Sequence, residues 1–330
     1  MTTRRERALG ALVGLAVGDA LGMPTQGLSP ERIRSTVGRV TGLLPAPADH
    51  PIAAGLAAGS VTDDTEQALL LADLLIEDRG RIDPGRFAGR LAAWEDRMRE
   101  RGSLDLLGPS TRRAVQAVLD GVRPELAGTT GTTNGAAMRI APVGVATAPD
   151  DLPALLDRVE EACLVSHATS VAIAGAAAVA AAVSAAVEGW PLGDVLALAV
   201  TAAAEGARRG TWAAGADVAS RIAWVLDDVA VPGRADPIAR LVALVGTSLA
   251  TQESVPAAFG MLALHPSDPW AACCAAAGLG GDTDTIAVMA GAIGGAVHGS
   301  AAFPPDAVAT VLAVNRLELE GRADALLALR

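Results

Sequence analysis

An all-α protein is what this sequence predicts, and three features predict it. Segments rich in Ala, Leu and Val run between Gly and Pro breaks, and Ala and Leu are strong helix formers. The alternation of β-branched and aromatic residues that marks strands is scarce: aromatic residues make up 2% of the chain and Tyr is absent. Apolar residues reach 51% against 19% charged over 330 residues, enough to bury a large core and too apolar for disorder. No shift in composition marks a boundary and no repeat of twenty to fifty residues recurs, so residues 1–330 read as one domain.

The first helix is expected over 4–22. There Gly10, Gly14, Gly18 and Gly22 recur every four residues and form one bare stripe. Gly weakens a helix, so the stripe asks for a compensating close approach, most simply by a neighbouring helix. The same stretch imitates a secretory signal, with arginines and then an apolar run. Asp19 and the glycines spoil its end, and no convincing cleavage site follows. A helix over 62–78 opens on "SVTDDTEQALLLADLL" (60–75). Its Asp63, Asp64 and Glu66 fall in the first turn, where carboxylates oppose the positive helix end. Helices follow over 84–100, 110–120 and 151–165. "ATSVAIAGAAAVAAAVSAAV" (168–187) is long enough to span a bilayer, but it is mostly Ala and no charge asymmetry brackets it; it reads as a helix buried in an all-helical core. Further helices are expected over 192–208, 212–227, 236–247, 254–264, 268–277, 284–298 and 305–315. Loops fall at 23–61, 121–135, 228–235 and 248–253, and the first is long and rich in Gly and Pro, a trait of functional loops.

The net charge of −11 argues against a nucleic acid held on a basic surface, and leaves room for a small phosphorylated ligand. All 26 basic residues are Arg; without Lys there is no Schiff-base lysine and no P-loop lysine. Cys163 stands alone and Cys273 and Cys274 are adjacent, an odd set without a disulfide framework, as expected of a reducing, cytoplasmic setting with no membrane.

Chemistry concentrates in two acidic turns with one grammar. "TDDT" (62–65) precedes an apolar helix, and "GGDTDTIAVMAGAIGG" (280–295) puts Asp282 and Asp284 at the mouth of another. A helix N-cap accounts for one acid in each place. It does not account for paired Asp, nor for the glycines before Asp282, which let the backbone turn sharply. If both turns meet, four carboxylates and two or three hydroxyls crowd together at a cost that protonation or cations must relieve. Oxygen donors suit Mg²⁺, Mn²⁺ or Ca²⁺; zinc is disfavoured, since no His/Cys spacing for it appears. Spacing alone leaves a two-metal site and two unrelated caps both open. "GTTGTTNG" (128–135) reads either as a nest of backbone N–H groups for phosphate or ribose oxygens or as a surface turn.

"GLAVGDALGMP" (14–24), "TDDT" (62–65), "NGAAMRIAPVG" (134–144), "SHATSVAIAGA" (166–176) and "GGDTDT" (280–285) occur in the order seen in the ADP-ribosylglycohydrolase family, which includes the dinitrogenase-reductase-activating glycohydrolase and the ADP-ribosyl-acceptor hydrolases. The chain resembles that family from about residue 8 to 300. The resemblance implies a compact orthogonal multi-helix bundle with two Mg²⁺ or Mn²⁺ ions. It implies Thr62, Asp63, Asp64, Asp282, Asp284 and Thr285 as metal ligands. Asn134 and Gly135 would lie beside the phosphates, and His167 near the substrate ribose. Arg139 is expected as a buried structural arginine paired with an acid, with a phosphate contact as the alternative, and Asp19 as a support for local backbone. In one place the pattern departs: Gln26 stands where many members carry a Glu, and Gln can neither act as a base nor bind metal as a carboxylate would. Glu31 is close in sequence.

The implied reaction is hydrolysis at the anomeric carbon of an ADP-ribosyl group carried by a protein or a small molecule. The ions would orient a water, and carboxylates would stabilise an oxocarbenium-like transition state. Asp64 is the candidate acceptor of the water proton, with Asp282 as its catalytic partner, and Gln26 is counted among the substrate contacts. A ribosyl N-glycosidase or nucleosidase is the alternative, and a non-catalytic ADP-ribose binder the third reading. Among the five Trp, Trp94 and Trp212 are candidates for stacking on a base, with core or surface packing the plainer role.

Overall fold

The computed structural model describes residues 2–103 and 107–330. Eighteen α-helices follow one another: α1 (Arg4–Gly22), α2 (Pro30–Thr36), α3 (Asp63–Glu77), α4 (Pro84–Glu100), α5 (Pro109–Leu119), α6 (Pro124–Ala127), α7 (Gly135–Met138), α8 (Ala141–Ala146), α9 (Leu152–Cys163), α10 (Ser170–Val187), α11 (Leu192–Gly206), α12 (Val218–Trp224), α13 (Pro237–Leu244), α14 (Thr251–Leu264), α15 (Pro269–Ala277), α16 (Thr283–His298), α17 (Pro305–Asn315) and α18 (Glu320–Leu327). Among the described residues there is no strand, only isolated bridges pairing Thr133 with Ala250 and Thr169 with Thr211.

The helix starts follow from local chemistry. Thr3 and Glu6 cap α1 reciprocally. Asp83, Asp151, Asp217 and Asp268 each accept a backbone N–H one turn into the helix they precede. Pro at the first helical position opens α2, α4, α5, α15 and α17, where its missing N–H leaves nothing unpaired.

The glycine stripe has the close approach it asks for. α1 packs more extensively on α16 than any other pair of helices. A methyl added at Gly10 would overlap the Gly295 carbonyl; at Gly14, that of Gly291; at Gly18, that of Ala287; at Gly22, the backbone of Thr283 and Asp284. The pairing runs in opposite directions along the two chains, so the helices are antiparallel with their backbones in contact. This contact delivers the C-terminal end of α1, with Asp19 and Gly22, to the N-terminal end of α16, with Asp282 and Asp284. Around the pair lies α10, every residue of which is buried. It is a core helix, as its Ala-rich composition predicts.

Several boundaries differ from the expectation. The 23–61 segment holds a 3₁₀ turn (Met23–Thr25) and α2, and is pinned by a satellite cluster of Met23, Ala46, Ala53 and Leu56. The helix expected over 212–227 begins only at Val218 and continues through a π-turn to Val229. The short helices α6, α7, α8 and α18 were not expected. In α7 and α8 every residue is buried, so packing stabilises what the Gly- and Pro-containing sequence does not favour by itself. Trp94 is in the core and donates its N–H to Glu66, while Trp212 is 79% exposed.

Candidate active site

Where α3, α5, α7 and α16 come together, a cleft of about 260 Å³ is lined by Gln26, Asp63, Asp64, Asn134, Gly135, Asp282, Asp284 and Thr285. The two acidic turns therefore face one space. Their supports differ.

At the start of α3, the Thr62 hydroxyl accepts the Asp64 N–H at 3.3 Å. Beneath it lies Asp19, fully buried on α1. Its carboxylate accepts the Thr62 N–H (3.0 and 3.1 Å) and the Thr65 N–H and hydroxyl (3.0 and 2.5 Å). Burial pushes the Asp19 pKa up to about 6, against the pull of those hydrogen bonds. Asp19 thus positions the turn, and Thr62 faces a neighbouring chamber rather than the cleft. Asp63 accepts the Gln67 amide at 2.6 Å. From there a buried polar chain runs inward. Arg139 donates to Gln67 (2.8 Å) and to Ser166, Ser166 meets His167 Nδ1 (2.7 Å), and His167 Nε2 meets Thr133 (2.9 Å). Since the Thr133 hydroxyl donates to Ser110 at 3.1 Å, it accepts from Nε2–H, and Nδ1 of the neutral ring accepts from the Ser166 hydroxyl. That is the neutral imidazole, in keeping with the pKa of His167, which burial and then the Arg139 charge hold well below the usual histidine range. Arg139 is buried as expected, but its hydrogen bonds go to the neutral side chains of Gln67 and Ser166 and not to an acid; it stacks over Phe87, 4.9 Å from the ring centroid, and stays charged, with burial lowering its pKa to about 10.

At the start of α16, Gly280 and Gly281 adopt φ of +81° and +78°. Gly281 exchanges backbone hydrogen bonds with Gly27 (2.7 Å) and Leu28 (3.0 Å), and the Asp282 N–H reaches the Thr247 carbonyl at 2.7 Å. A side chain at Gly281 would run into that same carbonyl. The Asp282 carboxylate makes no cap bond to its own helix. Instead it accepts the Asn134 amide, which also donates to Ser254 at 2.9 Å. Burial raises the Asp282 pKa, and hydrogen bonds from Asn134 and Thr285 oppose the rise. Asp284 is buried and accepts the Thr285 N–H at 3.0 Å.

Between the turns, Asp64 is buried with its Oδ2 unpartnered. Burial first, then the charges of Asp284, Asp63, Asp19 and Asp282, push its pKa well above the carboxylate range. An orphaned carboxylate oxygen amid four other acids, on an oxygen-only donor set, fits hard divalent cations. Among the described residues, no three His, Cys, Asp or Glu side chains are drawn up as a ready-made ion site.

The comparisons with known proteins agree with this architecture. The family model described as ADP-ribosylglycohydrolase matches residues 1–330. The chain belongs to the ADP-ribosylglycohydrolase family. It is 35% identical to an uncharacterized protein of Escherichia coli (strain K12), YegU, over 98% of this chain and 97% of that one. It is 34% identical to the ADP-ribosylarginine hydrolase Tri1 of Pseudomonas putida (strain GB-1), over 42% of this chain and 36% of Tri1. A solved structure titled ADP-ribosylglycohydrolase-related protein complex superposes with a TM-score of 0.74 at 28% identity, covering 100% of this chain and 99% of that one. The protein is accordingly a glycosidic-bond hydrolase of ADP-ribosyl groups.

In this ADP-ribosylglycohydrolase, some residues are used differently from the sequence reading. His167 does not line the cleft; it sits behind the 128–135 loop, within van der Waals reach of Gly135, and holds Thr133. That loop is no free surface turn, since Gly131 abuts the Ser166 carbonyl, Thr169 bonds the Gly131 carbonyl at 2.6 Å and the Asn134 N–H bonds Leu249 at 2.9 Å. Gln26 faces the cleft with its amide nitrogen buried and unpartnered. Glu31 is exposed and paired with Arg34 at 3.0 Å, away from the cleft. Sequence reading missed Ile52, Thr111, Arg112, Met138 and Leu249, which also line it. The signal for Thr111 and Arg112 was present in "GPSTRR", a Pro-opened helix without a side-chain cap, whose first N–H groups are left for an anion.

Proposed function

We propose that this protein hydrolyses the bond between the anomeric carbon of an ADP-ribosyl group and a nitrogen leaving group, with two Mg²⁺ or Mn²⁺ ions held by Asp63, Asp64, Asp282 and Asp284 together with Thr285; Thr62, expected as a further ligand, faces the neighbouring chamber and caps α3 instead. The observation that carries the reading is the unpartnered, buried Asp64 oxygen among three further carboxylates of the cleft, with Asp19 buried beneath them. When bound, such ions neutralise the crowded charge and lower the pKa of a water.

The chain's own groups supply the rest. The open N-terminus of α5 offers positive potential to the diphosphate beside Asn134 and Gly135, with Arg112, itself paired with Glu95 at 3.1 Å, at its edge, in a protein otherwise rich in acid. The ribose then lies over the acidic turns. As the glycosidic bond breaks, its electron pair leaves with the nitrogen, positive charge builds on the sugar, and the surrounding carboxylates favour it. The water oxygen bonds to the anomeric carbon and Asp64 takes its proton. Asp282, fixed by Asn134, is the second acid. The leaving nitrogen takes up a proton in turn. Three cysteines, none in a disulfide, suit a cytoplasmic setting. Gln26 in the cleft favours a second reading, release of a base from a nucleoside, since it offers an amide to the substrate where a carboxylate is expected.

The test is a mass-spectrometric screen with Mg²⁺ or Mn²⁺ against ADP-ribosyl-arginine, ADP-ribosyl-serine, O-acetyl-ADP-ribose and nucleosides. Release of ADP-ribose from an N-linked substrate, lost on chelation, is the expected result. Release of free base from nucleosides alone would select the second reading, and turnover unaffected by chelation would remove the ions from the account.

A further inference from the structure

Away from the acidic cleft, α2 and α15 border a cavity of about 740 Å³, within the range of small-molecule sites. Ile33, Val40, Ile238, Ala271 and Ala275 give it apolar walls, and the half-buried Trp270 presents an indole to it. Its charged groups are of one sign. Arg34 and Arg39 line it together with the Thr41 hydroxyl and the His265 imidazole, whose pKa burial pushes down so that the ring is a neutral hydrogen-bonding group at pH 7, and no Asp or Glu does, although the chain carries 37 acidic residues. Asp268, the acid nearest by charge to His265, caps α15 through the Ala271 N–H at 2.9 Å and does not line the cavity. Arg34 is committed to Glu31, whereas Arg39 has no ion pair among the described residues and its charge reaches both His265 and Cys274. Burial pushes the Cys274 thiol up to about 11, so it is an inert wall and not a nucleophile. A positive patch at the edge of an apolar, Trp-containing cavity, on a protein of net charge −11, selects for a ligand with a flat apolar body and a single anionic group.

We propose that this cavity is a second binding site, taking a small aromatic anion with its ring against Trp270 and its carboxylate or phosphate against Arg39 and His265. The site is independent of the hydrolytic reading, because its occupancy is measured without turnover.

The experiment is calorimetric titration of the full chain with 1-naphthoate, with uncharged 1-naphthalenemethanol as the control. One saturable site is expected, with the alcohol binding at least about tenfold more weakly, a difference of about 1.4 kcal/mol. Arg39→Ala, a change at an exposed side chain that leaves the core untouched, is expected to weaken naphthoate by a similar factor. Asp284→Asn, in the acidic cleft, is expected to leave it unchanged. No saturable heat at millimolar naphthoate, equal binding of the alcohol, undiminished binding in Arg39→Ala, or loss of binding in Asp284→Asn would each overturn the proposal.

Discussion

The two acidic turns share a sequence grammar and are built in opposite ways. The α3 turn is held by side chains: Thr62 caps it, Asp19 grips it from below, and Gln67, Arg139, Ser166 and His167 form a polar chain behind it. The α16 turn is held by backbone: two left-handed glycines, a two-way bridge to residues 27 and 28, and contact with Gly22. A helix cap explains Thr62. It does not explain Asp282, whose carboxylate caps no backbone N–H of its own helix and meets the side chains of Asn134 and Thr285 instead. An acid that does not cap its helix is better explained by what lies in the cleft.

The contrast can be broken or sharpened by substitution. The largest effect is expected from Asp284→Asn, which removes charge from the cleft while the backbone of the α16 turn stays fixed. Turnover should fall about a thousandfold, several kcal/mol of transition-state stabilisation, with an unchanged far-ultraviolet circular dichroism spectrum. Full activity in this variant would remove the α16 turn from the chemistry.

Gly22→Ala tests the backbone support. Its methyl would overlap the Asp284 Cα and the Thr283 carbonyl, and overpacking of this kind costs about 3 kcal/mol. Urea unfolding should show the loss, and hydrolysis should fall with it although no acid has changed. A wild-type midpoint would mean that α1 does not set the position of the α16 turn.

The side-chain support should instead be sensitive to pH. His167 is held neutral, with its pKa well below the usual value near 6.5. The unfolded chain therefore binds a proton that the folded chain refuses. Stability is fully present above pH 6.5 and is lost as pH falls towards the depressed value, by at most about 1.4 kcal/mol per pH unit. Urea midpoints between pH 7.5 and 5.5 should drop more steeply in the native chain than in His167→Gln. Equal slopes would show that His167 does not carry this dependence.

The smallest effect is expected from Thr62→Ala, about 1 kcal/mol for loss of an N-cap. Asp282→Ala should show no capping loss at all, because no cap bond exists there. Paired thermal melts decide it, and an equal cost at both positions would erase the distinction between the turns.

Much of this was legible in the sequence because it rests on local chemistry. Helix formers between Gly and Pro breaks mark out the long helices, the four-residue glycine repeat foretells backbone contact, and two acidic turns mark where α3 and α16 begin. What was not legible depends on distant parts of the chain. That α1 carries Asp19 beneath Thr62 follows from the α1–α16 pairing and not from any spacing near Thr62. His167 was assigned to the ribose, yet its two ring nitrogens are occupied by Ser166 and Thr133 behind the loop. The α5 entrance was visible as a helix start but not as a wall of the cleft, since 45 residues separate Asp64 from Pro109.

The central claim is that both acidic turns clasp the same pair of divalent ions. Anomalous difference density from a crystal soaked in Mn²⁺ tests it most directly. The account predicts two peaks between Asp63 and Asp64 on one side and Asp282 and Asp284 on the other. Peaks confined to one turn, or a featureless cleft in a crystal whose protein still hydrolyses substrate, would contradict it.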